Sequence, residues 1–164
     1  MAKVDFDGAG WLKGLDAIAS PKMKESLARS MAVAGGKVLR DEAKRWVPVE
    51  SGRLQSSIYL AHRDTRSGES QQVYSVSWNS KTAPHGHLVE FGHWQTNVRY
   101  QGSDGQWHTG PALPAPKWVA AKPFLRPAQD VAGDDAIKAM IQRGKERLPE
   151  LLREAYQPAD EDFV

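Results

Sequence analysis

Trp46-Val47-Pro48-Val49-Glu50-Ser51-Gly52-Arg53-Leu54-Gln55-Ser56-Ser57-Ile58 joins a long helical pattern to a sheet-like one. Pro48 has no amide to give a helix and pushes Val47 toward extended geometry, which predicts a helix end near Trp46. Ser51-Gly52 offers a turn in which glycine adopts a positive φ at little steric cost. Leu54, Ser56 and Ile58 then alternate with Arg53, Gln55 and Ser57, the period of two that predicts a strand. Pro48, Gly52 and Leu54 are expected to set the angle between helix and sheet.

Upstream of this corner, Leu27, Met31, Ala34, Val38 and Leu39 recur at helical spacing from Pro21 to Trp46, with Lys24, Glu25, Arg29, Lys37, Arg40, Asp41 and Lys44 mostly off that stripe. Ser20 is placed to cap this helix and Pro21 to occupy its first position. At its full length the helix would run for roughly 35 to 40 Å. Gly35-Gly36 in its middle costs about 1 kcal/mol per glycine relative to alanine, so something is expected to pack closely there. Before Ser20, Val4 and Phe6 predict a short strand, and Trp11, Leu12, Leu15 and Ile18 a short amphipathic helix.

Downstream, residues 56 to 63 and 71 to 78 predict a hairpin across a polar connection, with Tyr74, Val76 and Trp78 toward the core and Ser75 and Ser77 outward. Leu88, Val89 and Phe91 are expected to bury. Glu90 among them needs a cationic partner if it lies near the core, because an unpaired buried carboxylate is too costly; Arg53 and Arg126 are the candidates. Residues 93 to 118 predict a long hairpin or arm whose return leg holds Pro111, Pro114 and Pro116. Trp94, Tyr100, Trp107 and Trp118 sit in this otherwise polar and prolyl segment, which predicts that the arm docks on another surface, such as a neighbouring subunit. Ile137, Met140, Ile141, Leu148, Leu151 and Leu152 fit a last helix, broken or restarted at Gly133-Asp134-Asp135 and bent near Pro149. The tail from Gln157 is acidic and expected to be loose.

The chain has 164 residues, 40% hydrophobic and 26% charged, the size and balance of one globular domain. No apolar run approaches the roughly 20 residues of a membrane span. Acidic residues among the first seven argue against a signal peptide, so the protein is expected in the cytoplasm where it is made. Cysteine is absent, which excludes disulfides, thiolate ligands and a cysteine nucleophile. A formal charge of +2, from 22 basic and 20 acidic residues, is far from the excess of a protein living on phosphate contacts.

Catalytic motifs are weak throughout. His85, His87 and His93 with Glu90 invite a metallohydrolase reading, but the spacing matches no zinc motif. Gly-x-Ser-x-Gly is missing, and Gly8-Ala9-Gly10 lacks the lysine and hydroxyl of a phosphate loop. Lys122, Arg126, Arg143, Lys145, Arg147 and Arg153 are interleaved with Glu146, Glu150 and Glu154, the pattern of a solvated, ion-paired helix face. No enzymatic activity, metal or other cofactor is expected.

Three segments occur in a telling order. Ala43-Lys44-Arg45-Trp46-Val47-Pro48-Val49 with Ser51-Gly52-Arg53-Leu54 and Ser57-Ile58, then Leu88-Val89-Glu90-Phe91-Gly92, then Lys122-Pro123-Phe124-Leu125-Arg126-Pro127-Ala128 together resemble the tail-component (neck or tail-completion, head-tail joining) proteins of long-tailed bacteriophages. The resemblance covers residues 4 to 156, and the arm at 93 to 118 departs from it by its length and tryptophan content. It implies an α+β fold, an antiparallel sheet of about four strands against a long helix of the N-terminal half and a C-terminal helix, in a single domain over 1 to 156. It marks Pro48, Gly52, Arg53, Leu54, Glu90, Phe91, Gly92, Pro123, Phe124 and Pro127 as structural positions. It also implies a homo-oligomeric ring, six copies favoured over twelve, in the virion neck. Its neighbours would be a head-completion or connector protein and a tail-terminator or tail-tube protein, with transient, non-specific contact to genomic DNA in the lumen. A tail-terminator ring is the alternative within the same class, and the metallohydrolase the alternative outside it.

Overall fold

The computed structural model describes residues 20–68 and 71–155, so the strand and helix expected before Ser20 and the tail from Gln157 lie outside the described residues. The elements are α1 (Pro21–Trp46), α2 (Arg53–Ser57), β1 (Ile58–His62), a 3-10 turn (Asp64–Arg66), β2 (Tyr74–Trp78), α3 (Gly86–Phe91), β3 (His93–Gln101), β4 (Trp107–Val119) and α4 (Leu125–Ala155). The fold is α+β. Its four described strands pair two by two, β1 with β2 and β3 with β4, in two small antiparallel sheets.

Helix α1 starts and stops where the local chemistry dictates. The Ser20 hydroxyl accepts a hydrogen bond from the Met23 amide at 3.3 Å, and Pro21 fills the first helical position, where its missing N–H costs nothing. At the other end the Gln55 side chain donates to the Lys44 carbonyl at 2.8 Å, satisfying one of the acceptors that the last turn leaves free.

The strand expected from Leu54 onward begins only at Ile58. Residues Arg53–Ser57 form a short helix instead, entered through Gly52 at φ 74°. The window is compatible with both periods, because Leu54, Ser57 and Ile58 also fall at i, i+3 and i+4, and these three are the buried ones. The Ser57 hydroxyl donates to the Leu54 carbonyl at 2.8 Å, the local backbone bond by which serine competes against a strand.

The described residues divide into two compact units. One comprises the chain up to Arg40, Leu60–Val76 and the chain from Ala132; the other comprises Asp41–Tyr59 and Ser77–Val131. Within the first, the close approach expected at Gly35-Gly36 is present. A Cβ on Gly35 would stand 2.6 Å from Met140 Cγ and 3.0 Å from the Ala136 carbonyl oxygen, and one on Gly36 would stand 2.5 Å from Leu60 Cδ1. Loss of side-chain bulk in α1 is thus offset by backbone-to-backbone proximity with α4. Tyr74 to Trp78 are all half-buried, so β2 does not show the two-faced alternation expected of it. Ser75 is used, accepting a hydrogen bond from the Arg63 guanidinium.

Helix α4 is continuous through Gly133 and Pro149, so the break expected at Gly133 is absent. Its buried positions also differ from the expected stripe. Ala128, Ala132 and Ala136, spaced by four, are buried with Leu151, whereas Ile137 and Ile141 are 56% and 48% exposed. Small residues allow close approach, which outweighs the hydrophobicity of the isoleucines one position further round. Part of the expected ion pairing is present on this helix: Arg143 meets Glu146 at 3.4 Å, and Arg147 meets Glu150 at 2.8 Å and Glu154 at 3.1 Å. Arg147 holds the Glu150 carboxyl below the usual carboxylate range.

Candidate functional site

The second unit gathers most of the positions singled out in the sequence. Glu90 is the centre of it. The carboxylate is 7% exposed, and its Oε2 accepts hydrogen bonds from the Phe124 amide at 2.8 Å and the Leu125 amide at 3.1 Å. Phe124 stands just before α4 and Leu125 at its first position, and no local Ser, Thr, Asp or Asn caps this helix start. Glu90 is therefore a cap delivered from 34 residues upstream, placed where the helix dipole favours negative charge. Neither Arg53 nor Arg126 is its partner, correcting the cationic pairing expected for it.

Helix α3 presents the reverse of the expected face. Leu88 and Val89 are half-buried, Glu90 is buried and Phe91 is 66% exposed. Each residue of a helix turns about 100°, so a rotation that aims Glu90 at the start of α4 swings Phe91 outward. Gly92 then reverses the chain at φ 75° and ψ 172°, a region open almost only to glycine. A Cβ there would meet Trp118 Cζ2 and the Val119 carbonyl oxygen, both at 2.8 Å. The Lys122 amide donates to the Val89 carbonyl at 2.8 Å, so α3 and the approach to α4 are tied by backbone as well as by Glu90. Phe124, fully buried, lies edge-on to Trp78 with centroids 5.9 Å apart. Pro127 falls in the first turn of α4, where its missing amide is no loss.

Beside this junction is a cleft of about 440 Å³, lined by Pro48, Val49, Leu54, Leu88, Val89, Val119 and Ala120 with the polar Glu50, Ser51, His85, His93 and Lys122. Gly52 lines it as well, while Arg53, the next residue, is exposed. His85 and His93 share the cleft; His87 is exposed on α3, and Glu90 is engaged in its cap. Among the described residues no group of three or more His, Cys, Asp or Glu is arranged to hold a metal ion.

From the base of this cleft rises the β3–β4 ribbon, whose strands pair only with each other. Trp94 opposes Trp118, the rings tilted edge-to-face at 5.3 Å, and Tyr100 opposes His108, stacked at 5.6 Å. Trp94, Thr96, Val98 and Tyr100 alternate along β3 and so share one face, all exposed. Trp107 opposes Gln101 at the far end and is 55% exposed. The register shifts between Gln95 and Arg99, opposite the prolines of β4, which cannot donate to the ladder.

At the ribbon's turn the Asp104 carboxylate accepts from the Gln106 amide at 2.9 Å and lies 3.2 Å from His108 Nε2, which together hold its pKa below the usual value. Its stabilising contribution is therefore present above the unfolded carboxylate pKa and is lost as pH falls through the lower native one. The Gln106 amide proton shift, followed by NMR, should titrate in that acid window with a midpoint below the usual carboxylate value; a resonance that does not move there would contradict the turn geometry.

In the first unit, Arg29, Lys37 and Arg143 line a shallow groove of about 620 Å³ with Ser30, Val33 and Ala34. Two of its cations are already occupied, Arg29 with Glu25 and Arg143 with Glu146 and Ser30.

Sequence reasoning missed the target of Glu90. The available signal was a helix start at Phe124-Leu125 with no local capping residue, paired with a carboxylate inside an apolar stretch. No helix among the described residues is long and apolar enough to cross a membrane. No curated protein and no solved structure matches the chain. Residues 12–92 match the sequence model of the family described as "Bacteriophage HK97-gp10, putative tail-component", a span that holds the corner and Glu90 but ends before the ribbon and α4. Over that span, about half of its length, the chain is similar to a putative tail component of bacteriophages.

Proposed function

We propose that this protein is a non-enzymatic ring subunit of the phage neck, joining or completing the tail at the head-tail junction. Six copies form the ring, a head-completion or connector protein meets one side, a tail-terminator or tail-tube protein meets the other, and DNA passes through the lumen. The observation that carries the reading is the ribbon. Trp94, Val98, Tyr100 and Trp118 lie exposed on strands that pair with nothing else, and Trp107 stands exposed at the end. A contiguous aromatic surface of this kind on a soluble protein marks a contact with another protein. The mostly paired cations around Arg29, Lys37 and Arg143 suit weak, passing contact with phosphate, because dense unpaired charge would hold the genome in place.

The test is assembly. Full-length protein, alone or mixed with its tail partner, should form rings in negative stain and mass photometry. Deleting residues 95 to 116 should leave a folded chain, because the ribbon's strands pair only with each other. Its self-association should fall by roughly 100-fold or more, the scale expected on losing buried aromatic anchors. A wild-type chain that stays monomeric and never enters virions would overturn the reading.

A further inference from the structure

We propose that Trp107, at the end of the ribbon of one copy, inserts into the cleft at the ribbon base of the next copy, joining subunits head to tail. The inference rests on the ring reading above and assigns its contact. Distance excludes the intramolecular alternative. His93 and Val119 belong both to the cleft and to the first rung of the ribbon, whereas Trp107 pairs with Gln101 at the last rung. Eight residues of strand separate His93 from Gln101, roughly 26 Å at 3.3 Å per residue, so Trp107 cannot fill the cleft of its own chain.

The cleft suits an indole. At about 440 Å³ it lies within the range of sites that enclose small ligands. Pro48, Val49, Leu54, Leu88, Val89 and Val119 offer apolar walls, and Glu50 and Ser51 offer acceptors for the one N–H that a buried tryptophan must satisfy. Charge agrees as well. The Asp104 carboxylate, three residues before Trp107, is kept ionised by the Gln106 amide, and Lys122 lines the cleft without an ion pair among the described residues.

Knob and cleft are different surfaces of one chain, so the contact is heterologous. Such contacts repeat from subunit to subunit and close into a ring when the rotation allows. That is the symmetry a neck ring needs, and a two-fold pairing of ribbon faces would not produce it.

The experiment uses two full-length variants, Trp107→Ala, which removes the knob, and Ala120→Trp, which fills the cleft. Both positions are exposed, so both variants should keep the wild-type fold by circular dichroism. In mass photometry each should be a single copy while the wild type forms rings. Mixed, they should give one-to-one dimers and nothing larger, because the first offers only an open cleft and the second only a knob. Rings of Trp107→Ala as abundant as wild type, or a mixture that stays single-copy, would overturn the proposed contact while leaving the ring itself standing. A wild type that forms no rings would overturn both.

Discussion

Replacing Glu90 with alanine should lower the unfolding free energy by about 3 kcal/mol, the sum expected when one buried and one part-buried amide lose a charged acceptor at about 1 to 3 kcal/mol each. The side chains just before α4, Lys122 and Pro123, cannot take over the Phe124 and Leu125 amides, because neither carries an acceptor. Glu90→Gln keeps an acceptor oxygen but not the charge, and should cost about half as much. Urea unfolding with a constant m-value measures both. An alanine variant within about 0.5 kcal/mol of wild type would show that the cap is energetically idle.

Gly92→Ala should cost at least as much, by a different route. At φ 75° and ψ 172° an L side chain carries about 1 to 3 kcal/mol of backbone strain. The new Cβ would also stand 2.8 Å from the Val119 carbonyl oxygen and 2.9 Å from the Ala121 amide nitrogen. Those are backbone atoms and cannot rotate away as a side chain can. The expected result is a loss of about 3 kcal/mol or more in the same urea experiment, with the pairing of His93 to Val119 disturbed. A fully stable Gly92→Ala would mean that the turn after α3 relaxes freely.

Because Glu90 and Gly92 serve one junction, their effects should not add. The cap requires α3 to be aimed correctly, and Gly92 aims it. The double variant is expected to fall short of the sum, as coupled neighbours do.

Much of this architecture was legible residue by residue. The limits of α1 followed from Ser20, Pro21 and Pro48, since capping and proline chemistry act within a few residues. The hairpin of 93 to 118 followed from its turn composition and its prolines. The α+β class was implied by the resemblance to phage tail components, and the change of period at the corner agreed with it. The failures share one cause. Leu54 to Ile58 satisfied two periods at once, and only the surrounding packing chose between them. Phe91 and Ile137 were expected inside on hydrophobicity, yet a capping carboxylate and a stripe of alanines took the inward positions.

The sequence by itself determined where chain direction changes, because proline, glycine and serine act on their own backbone. It also marked Glu90 and Phe124 as belonging to ordered signatures, 34 residues apart. Only the tertiary structure decided that these two signatures are one object, a carboxylate closing the start of α4. The physical reason is that a buried charge takes whichever donors the fold brings to it, and backbone amides carry no mark in the sequence.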